Sequence, residues 1–321
     1  MQFKKEQQSI QLNSVELSGL IGFLQKESNP LGILAASKIT GQEQTGVETE
    51  WKALDEESRS TVTQVFGLLA KPEQTIELKY IIADEQVFQT TAAMGKGKDI
   101  ALLTPMVQEW EVSITSVSDL QHLLTQVLAA NVLIEKPEFE LSLSAIATLV
   151  CVAILDAYRR GYYQAVLSHI SATTTFMLSE IMHELKNVNS NDFRWPLTIF
   201  NQVLPEKVLQ EINQNEVTAG LDELCQAGLL LKIEGENKKE ETLYSLTLNG
   251  EILAWDFLRS ISKVAMRVSR LLNGKRVGHE ALLLLRSERR LWLVDMGGNQ
   301  GMIADLSPDK FQQVLLEFFN L

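Results

Sequence analysis

The chain predicts an α+β protein in which two small antiparallel-sheet-plus-helix units flank a mainly helical middle. Three observations predict it. Segments of strand-like alternation cluster at 75–115 and 280–306, the intervening 136–260 is mainly helical in period, and each strand cluster ends in a serine followed by an amphipathic helix. The expected organisation is an N-terminal α+β domain over 1–135, a helical domain over 136–260 and a C-terminal α+β unit over 261–321. That last unit is expected to be able to pack with the first.

At the start, residues 9–35 read as a helix capped by Ser14 and ended at Asn29-Pro30, because a residue before proline leaves the helical region. The polar, turn-rich stretch 38–50 is expected to be mobile. A second amphipathic helix runs from Asp55 to Leu69. Thr75–Ala83, Val87–Ala93, Asp99–Thr104 and Glu109–Thr115 then read as strands, from their alternation and β-branched content. A helix capped by Ser118 follows. In the middle, helices are expected from Ser144 to Arg160, from Thr173 to Leu185 and from Pro205 to Gln214.

The C-terminal cluster repeats the grammar. Glu280–Leu285, Arg290–Met296 and Gly301–Leu306 read as strands, with Gly297-Gly298-Asn299 as a turn. Ser307-Pro308 opens a final helix, serine as cap and proline in the first turn. Trp110–Leu128 and Gly301–Phe319 share one order of strand, serine and apolar-striped helix, which suggests an internal duplication.

Between Glu216 and Ile233, a helix ended by Ala227-Gly228 leads into a strand, a polar tip at Glu234–Lys239, a return strand at Thr242–Leu248 and a further helix. Residues 205–255 thereby resemble the recognition-helix and wing half of a winged helix-turn-helix domain. That resemblance implies DNA or protein contact through the helix. Charge favours protein, because Glu216 to Ala227 holds Glu216, Asp222 and Glu223 but no Lys or Arg.

Cations gather further on. Residues 252–272 are expected to form one helix whose Arg259, Lys263, Arg267 and Arg270 share a face, with Lys275 and Arg276 following in a loop. Arg259 to Arg276 carries six cations and no acid, within a chain of formal charge −12. One reading is a solvated face that balances the acidic helix. The sharper reading makes these six residues a docking site for an acidic partner.

Catalytic and metal chemistry is not invited. Gly95-Lys96-Gly97-Lys98-Asp99 lacks the spacing and hydroxyl of a phosphate loop, and His183-Glu184 has Asn187 where a zinc helix needs its second histidine. His122, His169 and His279 are isolated, and Cys151 and Cys225 are expected as buried free thiols. No cofactor is expected. The apolar run Ala145–Leu155 is about half the roughly 20 residues of a membrane span. With no signal-like N-terminus, the expected location is the cytoplasm.

The functional expectation is a non-catalytic adaptor or chaperone-like factor with an acidic protein partner; oligomerisation is left open. A winged-helix transcriptional regulator is the alternative. A third reading comes from the matched segments Trp110–Leu128 and Gly301–Phe319 in an acidic chain of this length. These look similar to the EspG-type chaperones of type VII secretion, a likeness that implies a cytosolic secretion chaperone.

Overall fold

The computed structural model describes residues 2–4, 8–24, 28–33, 41–97, 99–132, 135–188, 192–205, 208–234 and 241–320, the side chains of 41–45, 276–279 and 320 excepted. In chain order the elements are β1 (Gln2–Lys4), β2 (Ser9–Leu12), α1 (Ser14–Phe23), α2 (Gly41–Ala53), α3 (Glu56–Ala70), β3 (Gln74–Ile82), β4 (Gln86–Met94), β5 (Asp99–Pro105) and β6 (Trp110–Ser116). There follow α4 (Val117–Val127), β7 (Glu140–Ser144), α5 (Ala145–Ser168), β8 (Thr175–Met177), α6 (Leu178–Lys186), α7 (Pro196–Asn201), α8 (Val208–Glu211) and α9 (Gln214–Gln226). The chain closes with β9 (Leu230–Ile233), β10 (Leu243–Leu246), α10 (Leu248–Leu258), β11 (Ser262–Leu272), β12 (Lys275–Arg286), β13 (Leu291–Gly297), β14 (Gln300–Asp305) and α11 (Pro308–Asn320).

The α+β class is what the structure shows, but the separate sheet units are not. Eleven strands hydrogen-bond in the order β1-β2-β6-β5-β4-β3-β11-β12-β13-β14-β7, an antiparallel sheet, and β8-β10-β9 form a second sheet of three. The expected pair of duplicated units is therefore corrected. Each strand–serine–helix run exists, as β6 into α4 and β14 into α11, yet both strands belong to one sheet. A free strand edge seeks hydrogen-bond partners, and joining the strand clusters satisfies two edges at once.

Contacts divide the chain into two compact units. The first comprises Met1–Leu78, Gln89–Leu123 and Val268–Gly278; the second comprises Lys79–Phe88, Leu124–Arg267 and His279–Leu321. In the first, Val62, Val65, Phe66 and Leu69 of α3 pack with Leu12, Leu20, Ala101 and Val112. In the second, α5 is the spine. Its run from Ala147 to Asp156 is wholly buried, as expected of an apolar helix, and packs with α9, α6 and α10 residues such as Leu221, Ile181 and Phe257.

Local chemistry explains most boundaries. Asn13, not Ser14, caps α1: its Oδ1 accepts the Val15 and Glu16 amides while Glu16 reaches back to Asn13 N, a reciprocal capping box. The expected long first helix thus splits, with β2 before it and the end of α1 at Phe23. Ser116, not Ser118, caps α4 through the Asp119 amide. Residues 41–50, expected to be mobile, lie in α2, while 38–40 fall outside the described residues. Thr175–Met177 is strand where helix was expected, pairing with β10. Among the described residues of the expected Pro205–Gln214 helix, Val208–Glu211 is helical before Asn213 caps α9. Gly298, at φ 63°, makes the turn between β13 and β14.

The largest correction concerns 252–272. The α-helix ends at Leu258 with Arg259 as its C-cap, and Ser262–Leu272 is strand β11. A spacing of four keeps two residues on one face in a helix and in a strand alike, so Lys263 and Arg267 fit both periods. Arg270, at an odd offset from Arg267, falls on the opposite face of β11. Burial on both faces over most of its length makes β11 an interior strand of near-continuous apolar residues, which masks its alternation.

Candidate functional site

The six expected partner-binding cations are not all surface groups, and they do not share one helix face. Lys263 is fully buried, with Nζ 2.6 Å from Asp84 Oδ1. Arg267 donates from Nη1 to the Leu204 carbonyl at 3.3 Å. Arg270 is half-buried on the other face of β11, and Arg259 pairs with Glu288 at 3.0 Å beside the Trp255 ring. Lys275 is exposed at the start of β12, where Arg276 also lies in the strand rather than in a loop; the Arg276 side chain is outside the described residues.

Lys263 instead belongs to an ionic cluster inside the second unit. The β3–β4 turn places Asp84: Ala83 and Asp84 stand at φ 52° and 55°, closed by Glu85 N–H to the Ile82 carbonyl. For Ala83 the left-handed conformation costs roughly 1–2 kcal/mol, and the turn is held by Ala83 N–H donating to Ile261 O at 2.8 Å. Asp84 then bridges two cations, Lys263 and Arg159, whose Nη2 lies 2.6 Å from Asp84 Oδ2. Arg159 Nη1 also donates to the Arg194 carbonyl and to Ser260 Oγ. Burial pulls the Lys263 ammonium down to about 8 in spite of Asp84. One turn before Arg159, the buried Asp156 carboxyl accepts the Leu197 amide at 2.8 Å, and burial pushes it up to about 7.

Outside this cluster lies a belt of arginines and rings. Arg159 sits 5.7 Å from the Tyr163 ring centre and 5.6 Å from that of Trp195, and Arg160 lies 4.4 Å over Trp195. Trp195 is oriented by its indole N–H donating to Asp192, whose carboxylate hydrogen bonds with Arg194 hold it down to about 2. Arg160 is pinned by a two-point pair with Glu184. Tyr162 packs against Trp255 at 5.5 Å, and Arg259 stacks on Trp255 at 4.4 Å. Beyond Tyr163, apolar side chains in the last turn of α5 and just past its cap face solvent: Val166 is 53% exposed, Leu167 81% and Ile170 69%. His169 ends the helix in the left-handed conformation, φ 55°.

The acidic helix α9 proves largely structural. Glu223 accepts Ser144 N–H at 2.7 Å and Ser144 Oγ–H at 2.6 Å, bracing the start of α5 where the helix dipole favours an anion. Asp222 pairs with Lys232 at 3.2 Å. The helix, strand, strand and helix expected after Glu216 occur in that order, while the tip at 235–240 lies outside the described residues.

Among the described residues no group of three His, Cys, Asp or Glu is placed to hold a metal ion, and no helix is long and apolar enough to cross a membrane. Cys151 is buried, which pushes its thiol up to about 12, and is poorly suited to nucleophilic work.

No protein-family model matches the chain, and no curated protein matches it. Among solved structures it is similar to the Mycobacterium tuberculosis type VII secretion system chaperone EspG5, solved in complex with a PE25-PPE41 dimer, at 11% identity and a TM-score of 0.46 over 96% of this chain and 94% of that one. A likeness at that level assigns neither family nor function. The comparisons lend no support to the winged-helix resemblance or to DNA binding.

Asp84, Asp156, Arg159, Tyr163 and Trp195 were not singled out by sequence reasoning. A signal existed for two of them: Asp156 and Arg159 directly follow the apolar run Ala145–Leu155 in one helical pattern. For Asp84 and Trp195 the sequence offers only a turn and a loop.

Proposed function

We propose that this chain is a non-catalytic protein-binding factor, an adaptor or chaperone, that shields an apolar segment of a partner at the C-terminal end of α5. The observation that carries the reading is the exposed run of Val166, Leu167 and Ile170 continuing from the Tyr163 and arginine–tryptophan belt. Adjacent exposed apolar side chains cost solubility unless a partner covers them, and Trp, Tyr and Arg are the residues enriched at such contacts. Trp195 is held by its hydrogen bond to Asp192 and Arg160 by its ion pair with Glu184, so less ordering entropy opposes binding at these two side chains.

Within that class, a type VII secretion chaperone is the narrower reading. It is supported by the shared strand–serine–helix order of Trp110–Leu128 and Gly301–Phe319. The rival DNA regulator is opposed by α9, whose Glu223 serves the start of α5 and whose Asp222 takes up Lys232.

Affinity purification of the whole chain from its native host tests the proposal. The expected result is a stoichiometric partner that the double variant Leu167→Asp, Ile170→Asp loses while keeping its fold by circular dichroism. An unchanged partner set for that variant, together with saturable binding of random duplex DNA at low salt, would favour the regulator instead.

A further inference from the structure

The second unit also holds a cleft of about 480 Å³ beside the C-terminal end of α6 and the stretch following α7. Among its described lining residues both charged groups are cationic: Lys186, exposed in the last turn of α6, and Arg267 on β11. Asn201, Gln202 and Gln210 supply amide groups at its wall, and the buried Leu185, Leu204 and Leu209 its apolar floor. The wall is braced. Arg267 is anchored on the Leu204 carbonyl, and Lys79 Nζ donates to Gln202 Oε1 at 3.0 Å, bringing a third cation behind the amide.

We propose that this cleft receives a glutamate or aspartate side chain, flanked by an apolar residue, from the protein partner inferred above; the inference rests on that reading. Guanidinium, ammonium and amide N–H groups are the donors that carboxylates bind most strongly. The apolar floor offers burial to the neighbouring side chain. Both charged groups among the described lining residues are cationic in a chain of formal charge −12, so an acidic segment meets complementary charge here. Lys186 has a competing structural role, since a cation in the last turn offsets the helix dipole. That role predicts an effect on stability and none on a ligand.

An NMR titration of the full chain separates the two. The probes are the blocked peptide Ac-Leu-Glu-Glu-Leu-NH2, its neutral isostere Ac-Leu-Gln-Gln-Leu-NH2, and inorganic phosphate. The acidic peptide is expected to shift the Lys186, Gln202 and Gln210 amides saturably, with the isostere roughly tenfold weaker or more. Lys186→Gln is expected to weaken the acidic peptide about fivefold, and Lys186→Arg to restore it. The proposal is overturned by no saturable shift at millimolar peptide, by equal binding of the two peptides, or by undiminished binding to Lys186→Gln. Shifts with phosphate and neither peptide would overturn it too, in favour of a small-anion site. Because Leu167 and Ile170 are not among the lining residues, loss of partner in their variant and loss of peptide in Lys186→Gln are independent results.

Discussion

At the residue scale, the buried ions of the second unit set the most direct expectations. Asp84 pairs with Lys263 and Arg159 together, so Asp84→Asn leaves both cations without their carboxylate, one of them fully buried. The expected cost in denaturant unfolding is about 3 kcal/mol, at the low end for a broken buried pair because Asp84 is itself 27% exposed. Lys263→Met is expected to cost less, since Asp84 keeps Arg159 and a long apolar chain fills the space. Asp156 makes stability depend on pH. Its carboxyl is raised from an ordinary 3.8 to about 7, so the folded state holds a proton that the unfolded state has released. The stabilisation this gives is full below about 4 and is lost as pH rises through about 7. Lys263, lowered from 10.5 to about 8, has the opposite sense: its contribution is present above about 10.5 and lost as pH falls through about 8. Thermal midpoints of Asp156→Asn between pH 4 and 7 should therefore fall less with rising pH than those of the parent. Parallel profiles would show that Asp156 is not the titrating group.

At the element scale, close packing of α5 on β14 depends on Gly301. A Cβ there would lie 2.2 Å from Thr148 Oγ1, which itself donates to the Ser144 carbonyl. Gly301→Ala is expected to cost about 1–3 kcal/mol by overpacking, and Asn213→Ala about 1 kcal/mol through the lost cap of α9, both read by chemical denaturation. Elements were legible in sequence where a single period and a clear cap coincided. Asp55 before α3 and Ser144 before α5 are such places. They were not legible where the period was ambiguous. Lys263 and Arg267 sit on one face in either conformation, and burial of both faces of β11 left no alternation to set against the helical reading. The candidate site fared likewise: a strand turn, a loop tryptophan and the end of a long helix converge through contacts between residues such as Asp84 and Arg159, 75 positions apart. Local pattern carries no record of such pairing.

At the scale of the whole molecule, one sheet of eleven strands replaces the expected pair of sheets, and dispersed cations replace a single basic face. Cations expected together are divided among an interior ion cluster, a surface pair with Glu288 and a cleft. At the end of α5, Tyr163, Val166 and Leu167, with Ile170 just beyond the helix, stand exposed among the polar Gln164, Ser168 and His169. The proposed function therefore requires that end to meet another protein. Site-specific photo-crosslinking in the native host, with p-benzoylphenylalanine at Leu167 and, as a control, at the exposed Glu57 of α3, measures this directly. A protein contact at that end gives one discrete adduct from position 167, abolished by Ile170→Asp and absent from position 57. No adduct at 167, or the same adducts from both positions, would contradict it.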